Sequence, residues 1–359
     1  MLSLYSSAAA ALGATLFLTF LLRPLARSLD FVDRPGGRKL HAGEVPVVGG
    51  LAMFMGLVLG LAMLPEGARP PATFTATAFV FVCLGLLDDR FNLPSALRLC
   101  VQVGAVIGMA IVGSLSVQHV GAPFGTGTTI FAPPVAMFVT VMLVVGAVNA
   151  LNMVDGIDGL AGSMGFIALV AVAVVAALGA NVTVLGVAVV LAAAVAGFLV
   201  FNLPLGINRP IRVFMGDAGS MLVGFSLAWM MVSLSQDPKS AVAPVTLLWF
   251  AAMPIYDMVS TGVGRVLRGE SPMNADNSHL HHRLLKKGYS ARTTLLILVV
   301  LAIFWAITGL ALDGTTLPEW VSMLGFLVAG GVTVAIVQAL PGQRAIAAPA
   351  AHGSTASRR

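Results

Sequence analysis

Charge is what this sequence has least of. Asp, Glu, Lys and Arg make up only 10% of its 359 residues, 58% are hydrophobic, and the mean hydropathy is +0.96. A chain so poor in charge cannot cover a soluble fold of this size, which argues against a water-soluble globular protein. Cysteine is nearly absent as well. Cys83 and Cys100 both fall within apolar runs, which speaks against a disulfide scaffold and against a thiolate metal site. The sequence contains no soluble domain and no internal repeat. Its first apolar run, 4–22, has no basic residue before it and has Arg23 and Arg27 after it, the reverse of a cleavable secretory leader, so it reads as a retained helix. The pI near 9.7 invites a nucleic-acid partner. The basic residues, however, flank apolar runs, where membrane topology accounts for them, and no nucleic acid is expected.

What is present is a series of apolar runs long enough to cross a bilayer. They lie at 4–22, 47–64, 72–87, 97–113, 133–149, 160–180, 182–201, 218–235, 243–264, 293–312 and 321–340. The expected fold is an all-α, polytopic transmembrane helical bundle of about 11 helices. Lys and Arg orient it. With the N-terminus outside (periplasmic), the segments 23–46, 88–98, 149–162, 202–217, 265–292 and the tail from 341 face inward, and they hold 18 of the 20 Lys and Arg. Arg69 and Lys239 remain outside. The C-terminus is then cytoplasmic. Residues 1–340 form the expected membrane domain, and 341–359 the expected disordered cytoplasmic tail.

In this topology the motif-bearing acids and histidines gather at helix ends on the inward side. Asn149-Ala-Leu-Asn152-Met-Val-Asp155-Gly-Ile-Asp158-Gly joins two apolar runs. Helical spacing puts Asn149, Asn152 and Asp155 on one face, and the interleaved glycines let a ligand approach closely. Asp and Asn at this density, with no Lys or Arg among them, suit cation ligation better than loop solvation. Asp88-Asp89-Arg90 closes another apolar run. Adjacent acids at a bilayer edge are costly and oppose the helix dipole, so carboxylates near a bound Mg2+, or accepting a proton, account for them better than a solvated helix end. Asp217 stands between Gly216 and Gly219 before the next run, with Ser220 placed to cap the helix that follows. Such a helix start suits a metal-bound phosphate. His279-Leu-His281-His282-Arg283 lies in the longest inward loop; imidazoles beside Arg suit phosphates, and no acid or Cys pattern completes a zinc set. Arg38, Lys39 and His41 offer charge to an anion in a Gly- and Pro-rich loop. Asp257, late in an apolar run, either pairs with Arg265 or Arg268 or lines the site.

Together these motifs, in order and over residues 1–340, resemble the polyprenyl-phosphate N-acetylhexosamine-1-phosphate transferases (glycosyltransferase family 4). They are Arg38-Lys39-Leu-His41 with Pro46-x-x-Gly49-Gly50, Asp88-Asp89-Arg90, the Asn149–Gly159 motif, Val213-Phe214-Met-Gly-Asp217-Ala-Gly-Ser220 and His279-Leu-His281-His282-Arg283. The His-x-His-His form resembles bacterial enzymes that prime O-antigen, enterobacterial common antigen or teichoic-acid synthesis. The peptidoglycan branch, which transfers phospho-MurNAc-pentapeptide, usually has three consecutive histidines, and here Leu280 intervenes.

The resemblance implies a UDP-N-acetylhexosamine and Mg2+ (or Mn2+) at an inward-facing site of the bacterial cytoplasmic (inner) membrane, with undecaprenyl phosphate entering from the bilayer lipid. The lipid phosphate attacks the sugar-bearing phosphorus and UMP leaves. By motif position, Asp217 is the implied principal Mg2+ ligand, assisted by Asn152. Phe214 and Asp158 hold the uracil, and Asp88 or Asp89 orients or deprotonates the lipid phosphate. His282 and Arg283 bind the diphosphate and sugar, joined by Arg98. The resemblance also groups Asp155 with the catalytic residues, and Lys39, Asn149, His279 and His281 with the substrate-binding ones. UDP-GlcNAc is the expected donor, with UDP-GalNAc or a 6-deoxy-N-acetylhexosamine left open. A homodimer is allowed, but no motif reports oligomeric state. A lipid-linked sugar transporter would place its polar residues at mid-membrane with repeat symmetry, and here they collect at one face. A phosphatidyltransferase would need a tighter array of aspartates on one helix.

Overall fold

A computed structural model of the chain describes residues 2–34, 43–204, 211–271 and 278–341. Its helices are α1 Leu2–Ser28, α2 Gly49–Ala62, α3 Ala72–Phe91, α4 Ser95–Val112, α5 Pro133–Val154, α6 Leu160–Leu178, α7 Val182–Asn202, α8 Gly216–Ser235, α9 Pro244–Phe250, α10 Ala252–Leu267, α11 Leu280–Lys286, α12 Ala291–Asp313 and α13 Glu319–Ala339. Two-residue strands, β1 Val32–Asp33 and β2 Val45–Pro46, pair antiparallel and depart slightly from the all-α expectation.

Every expected apolar run falls on a helix, and 9 of the described helices are long and apolar enough to cross a membrane. Two runs differ in detail. The second becomes α2, whose 14 residues fall short of the roughly 20 a full span needs. The run at 243–264 breaks at Ala251 into α9 and α10. Pro254 explains the break: it has no N–H to give the carbonyl of residue 250, and its ring crowds that carbonyl. Between α6 and α7 the turn is tight, with Ala180 at a φ of 54° and Asn181 accepting the Val184 N–H at 3.0 Å to cap α7.

The bundle is built around α8. Of its apolar window 83% is buried, against 17% for α1, and it packs on α2, α3, α5, α6, α7 and α9. Lipid tails are as apolar as leucine, so close van der Waals packing must hold helices together within a bilayer. Small residues make that possible here. A Cβ added at Gly85 would lie 2.2 Å from Ala218 N, and one at Gly50 would lie 2.2 Å from Gly219 N. The backbones of α3 and α2 therefore press directly onto the first turn of α8. This packing brings the end of α3, the start of α4 and the end of α5 around the α8 N-terminus.

Candidate active site

Gly216 opens α8 with a φ of +67°, a conformation L side chains rarely adopt, and a Cβ there would lie 2.5 Å from Asp89 Oδ2. The first N–H groups of a helix have no partner within it and carry its positive dipole end. Ser220 does not cap them, contrary to the sequence expectation. It lies one turn inside the helix, and its hydroxyl is turned back toward the Gly216 and Asp217 carbonyls, each at 3.3 Å. The cap comes from α3. Asp89 accepts the Asp217 N–H at 2.9 Å through Oδ1, and its Oδ2 lies 3.4 Å from the Ala218 N–H.

The neighbouring carboxylates face each other. Asp88 is 5% exposed, accepts the Leu93 N–H at 2.8 Å, and accepts a hydrogen bond from Arg98 Nη1. The same Nη1 lies 3.5 Å from Asp217 Oδ2. Asn152 donates from Nδ2 to Asp217 Oδ1 at 2.7 Å and to Ser220 Oγ at 3.0 Å, so its amide oxygen is the atom that could ligate a cation. Asp88 and Asp217 thus share Arg98 Nη1, a cation that offsets the repulsion of two neighbouring carboxylates. Among the described residues, no group of three or more His, Cys, Asp or Glu side chains is arranged to hold a metal ion. Mg2+ does not require one. It binds through one or two carboxylates and completes its shell with water and substrate phosphate. The oxygen donors of Asp217, Asp88 and Asn152 fit that hard cation.

The loop after α5 forms a second wall. Asn149 is turned away from Asp217, donating to Gln102 Oε1 and the Val145 carbonyl at 2.8 Å each, so its amide ties α5 to α4. Asp155 keeps an open edge in a crowded recess. The crowding, and then the Asp89 and Asp158 charges, push its carboxyl up to about 7. Asp158 accepts a hydrogen bond from Arg212 Nη2 at 2.9 Å, and the Arg212 guanidinium lies 4.9 Å from the centre of the Phe214 ring. Phe214 is held in turn by the segment leading into α2: its N–H donates to the Pro46 carbonyl at 2.9 Å, and its carbonyl accepts the Gly49 N–H at 3.0 Å. Asn202, buried at the end of α7, accepts the Gly159 N–H at 2.7 Å and donates to the Val213 carbonyl at 2.8 Å, so one amide locks the two walls together. Arg38, Lys39, His41 and Arg209 lie outside the described residues.

The histidines ride on α11. His281 is 1% exposed, and among the described residues neither ring nitrogen has a hydrogen-bond partner. Burial, and then the His282 charge, push its imidazole down to about 3, so it is neutral near pH 7. It presses on the Asp155–Asp158 loop: a Cβ at Gly156 would fall 2.1 Å from His281 Nε2. The His281 and His282 rings lie 4.2 Å apart, and His279 stacks on His281 at 5.8 Å. Arg283 donates from Nε to the Ser278 carbonyl at 2.6 Å. Asp257 pairs with neither arginine named for it from the sequence; its carboxylate meets His279.

The fold thus brings Asp88, Asp89, Arg98, Asn152 and Asp217 to one helix start. It sets Asp158 beside Phe214 through Arg212, and the histidine helix against Gly156. Sequence reading missed Gln102, a polar residue inside an apolar run, the Asn152–Ser220 hydrogen bond, and the buried bridge made by Asn202.

Fold and site define a polytopic membrane enzyme suited to phosphate-bearing ligands. Residues 72–235 match the family model described as glycosyl transferase family 4. The undecaprenyl-phosphate alpha-N-acetylglucosaminyl 1-phosphate transferase of Escherichia coli (strain K12) is 34% identical over 319 residues, covering 89% of this chain and 86% of that protein. The Haemophilus influenzae protein of the same name is 32% identical over 318 residues, covering 88% and 89%. The chain belongs to glycosyl transferase family 4.

Proposed function

We propose that the protein transfers N-acetylhexosamine-1-phosphate, with GlcNAc as the sugar, from a UDP-sugar to undecaprenyl phosphate at the cytoplasmic face of a bacterial cytoplasmic membrane. An oxygen of the lipid phosphate bonds to the sugar-bearing phosphorus. The bond from that phosphorus to UMP breaks, and UMP leaves with the electron pair. The product, undecaprenyl-diphospho-sugar, begins a cell-surface polysaccharide. The observation that carries this reading is the meeting of Asp88, Asp217, Asn152 and Arg98 at the α8 N-terminus. The naming of its relatives and the inward bias of Lys and Arg support it.

Two anions must approach, so most of the catalysis is positioning and charge compensation. Asp217, with the Asn152 amide oxygen, would hold Mg2+, which when bound neutralises phosphate charge. Asp88 holds Arg98 at the same place, where its guanidinium offsets further negative charge. Asp89 holds Asp217 in position through its backbone N–H. Phe214 and Asp158 receive the uracil, and Arg212 stands between them. His282 and Arg283 contact diphosphate and sugar, with Lys39 contributing charge from the first inward loop. Asp155, close to half-protonated near pH 7, exchanges a proton at the edge of the site.

The test is a transfer assay with purified full-length protein, undecaprenyl phosphate, Mg2+ and radiolabelled UDP-sugars. Label should pass from UDP-GlcNAc into lipid with release of UMP, and chelation should stop it. Asp217→Ala should abolish the metal-dependent rate. Folded protein that transfers from no donor would overturn the reading.

A further inference from the structure

A carboxylate buried in the membrane half of a protein needs a partner or a purpose, and Asp257 is 1% exposed on α10. Both of its oxygens are used, and both point to one place. Oδ2 lies 2.8 Å from His279 Nδ1, and Oδ1 accepts the backbone N–H of Leu280 at 2.6 Å. Thr261, one turn further along α10, places its hydroxyl 3.5 Å from the same Nδ1. Leu280 is the first residue of α11, and His279, its N-cap residue, supplies no side-chain cap of its own. At seven residues α11 is far too short to hold together unaided. Its cap comes from another helix, as a carboxylate at the positive end of its dipole.

The second bond sets a tautomer. A carboxylate can only accept, so His279 carries its proton on Nδ1 and keeps Nε2 as an acceptor while the ring is neutral. One side chain thereby fixes where α11 begins and how its first imidazole is presented. On that helix ride His281, packed against Gly156, and then His282 and Arg283.

We infer that Asp257 is a positioning residue for the transfer reaction: it anchors the His-Leu-His-His helix against the Asp155–Asp158 loop and holds His279 in the Nδ1–H form. The kinetic half of this inference rests on the function proposed above; the structural half does not, and two measurements on the full-length protein separate them. The first is amide hydrogen exchange over residues 280–286. Asp257→Ala should speed exchange there and leave α3 and α8 unchanged, whatever reaction the protein performs. Asp257→Asn keeps an oxygen for the Leu280 N–H and should exchange as wild type. The second is transfer kinetics. Both variants should lose about 10- to 100-fold in kcat, the usual scale when the partner that orients a functional histidine is removed. For Asn the cause is an inverted tautomer, its Nδ2 donating to Nδ1 and forcing the proton onto Nε2. In a His279→Ala background the Asn substitution should cost almost nothing further, because its effect passes through that ring. Unchanged exchange in Asp257→Ala would overturn the anchoring, even in a protein inactive with every donor. A fully active Asp257→Asn, or one equally damaging without His279, would overturn the tautomer assignment.

Discussion

Asp89 separates two accounts of the adjacent carboxylates. From the sequence, either acid of the pair serves to orient or deprotonate a substrate phosphate. In the structure Asp89 is occupied with α8, accepting the Asp217 N–H at 2.9 Å and facing the Ala218 N–H at 3.4 Å. Asp89→Ala strands both donors. A buried unpaired N–H costs about 1–3 kcal/mol. The second contact is long and the site partly open, so the loss should be about 2–3 kcal/mol, a fall of several degrees in unfolding temperature. Asp89→Asn keeps one acceptor for the Asp217 N–H and gives up only the charge, which at a helix N-terminus is worth about 0.3–1 kcal/mol. Activity should follow the same order. Shifting Asp217 by about 1 Å suffices to cost on the order of a hundredfold in rate, so the alanine variant should be nearly inactive and the asparagine variant should recover part of the rate. Thermal unfolding in detergent and the transfer assay read the two effects side by side. An Asp89→Ala protein that unfolds at the wild-type temperature yet transfers nothing would refute the capping argument and return Asp89 to the substrate.

Gly156→Ala puts a methyl group 2.1 Å from His281 Nε2 on a buried ring that has little room to retreat. It should displace α11 and lower turnover at least tenfold while the bundle stays folded, a result checked by circular dichroism alongside kinetics. Gly85→Val meets backbone rather than side chain, with Ala218 N at 2.2 Å from the first added carbon. It should force α3 off α8, costing about 3 kcal/mol or more, as overpacking does, and should be read as a large fall in unfolding temperature. For His281 the folded imidazole refuses a proton that the unfolded one accepts at its ordinary 6.5. Its contribution is therefore intact above that value and drains away as pH falls from 6.5 toward 3, on the order of a few kcal/mol in all. His281→Phe should flatten that part of the stability profile. An unchanged slope would show that His281 is not buried neutral.

Long apolar runs and the bias of Lys and Arg need no tertiary information, because bilayer thickness and the cost of unsatisfied backbone in lipid act on each segment separately. The places of the apolar helices were therefore legible, as were most of the polar residues that meet at the α8 start, since acids and amides are expensive at a membrane edge wherever they occur. The break at Ala251 had a visible cause in Pro254 but an invisible effect, because a proline in the middle of an apolar run can bend, interrupt or begin a helix. Asp257 was conspicuous and unassignable. Its partner lies 22 residues away on a different helix.

Composition and order of residues by themselves determined that this chain is a helical membrane protein whose chemistry-bearing side chains stand at helix ends. Which side chain meets which was decided by packing. Gly85 and Gly50 admit α3 and α2 onto the first turn of α8, and that contact turns Asp89 into a cap, places Asp88 and Arg98 against Asp217, and leaves Ser220 inside the helix it might have started. Asn202 joins the loop at Gly159 to Val213, and Asp257 captures His279, through hydrogen bonds between segments remote in sequence. Spacing along a chain carries the period of a helix. It carries no record of the distance between two helices, and the pairing of buried polar groups depends on that distance.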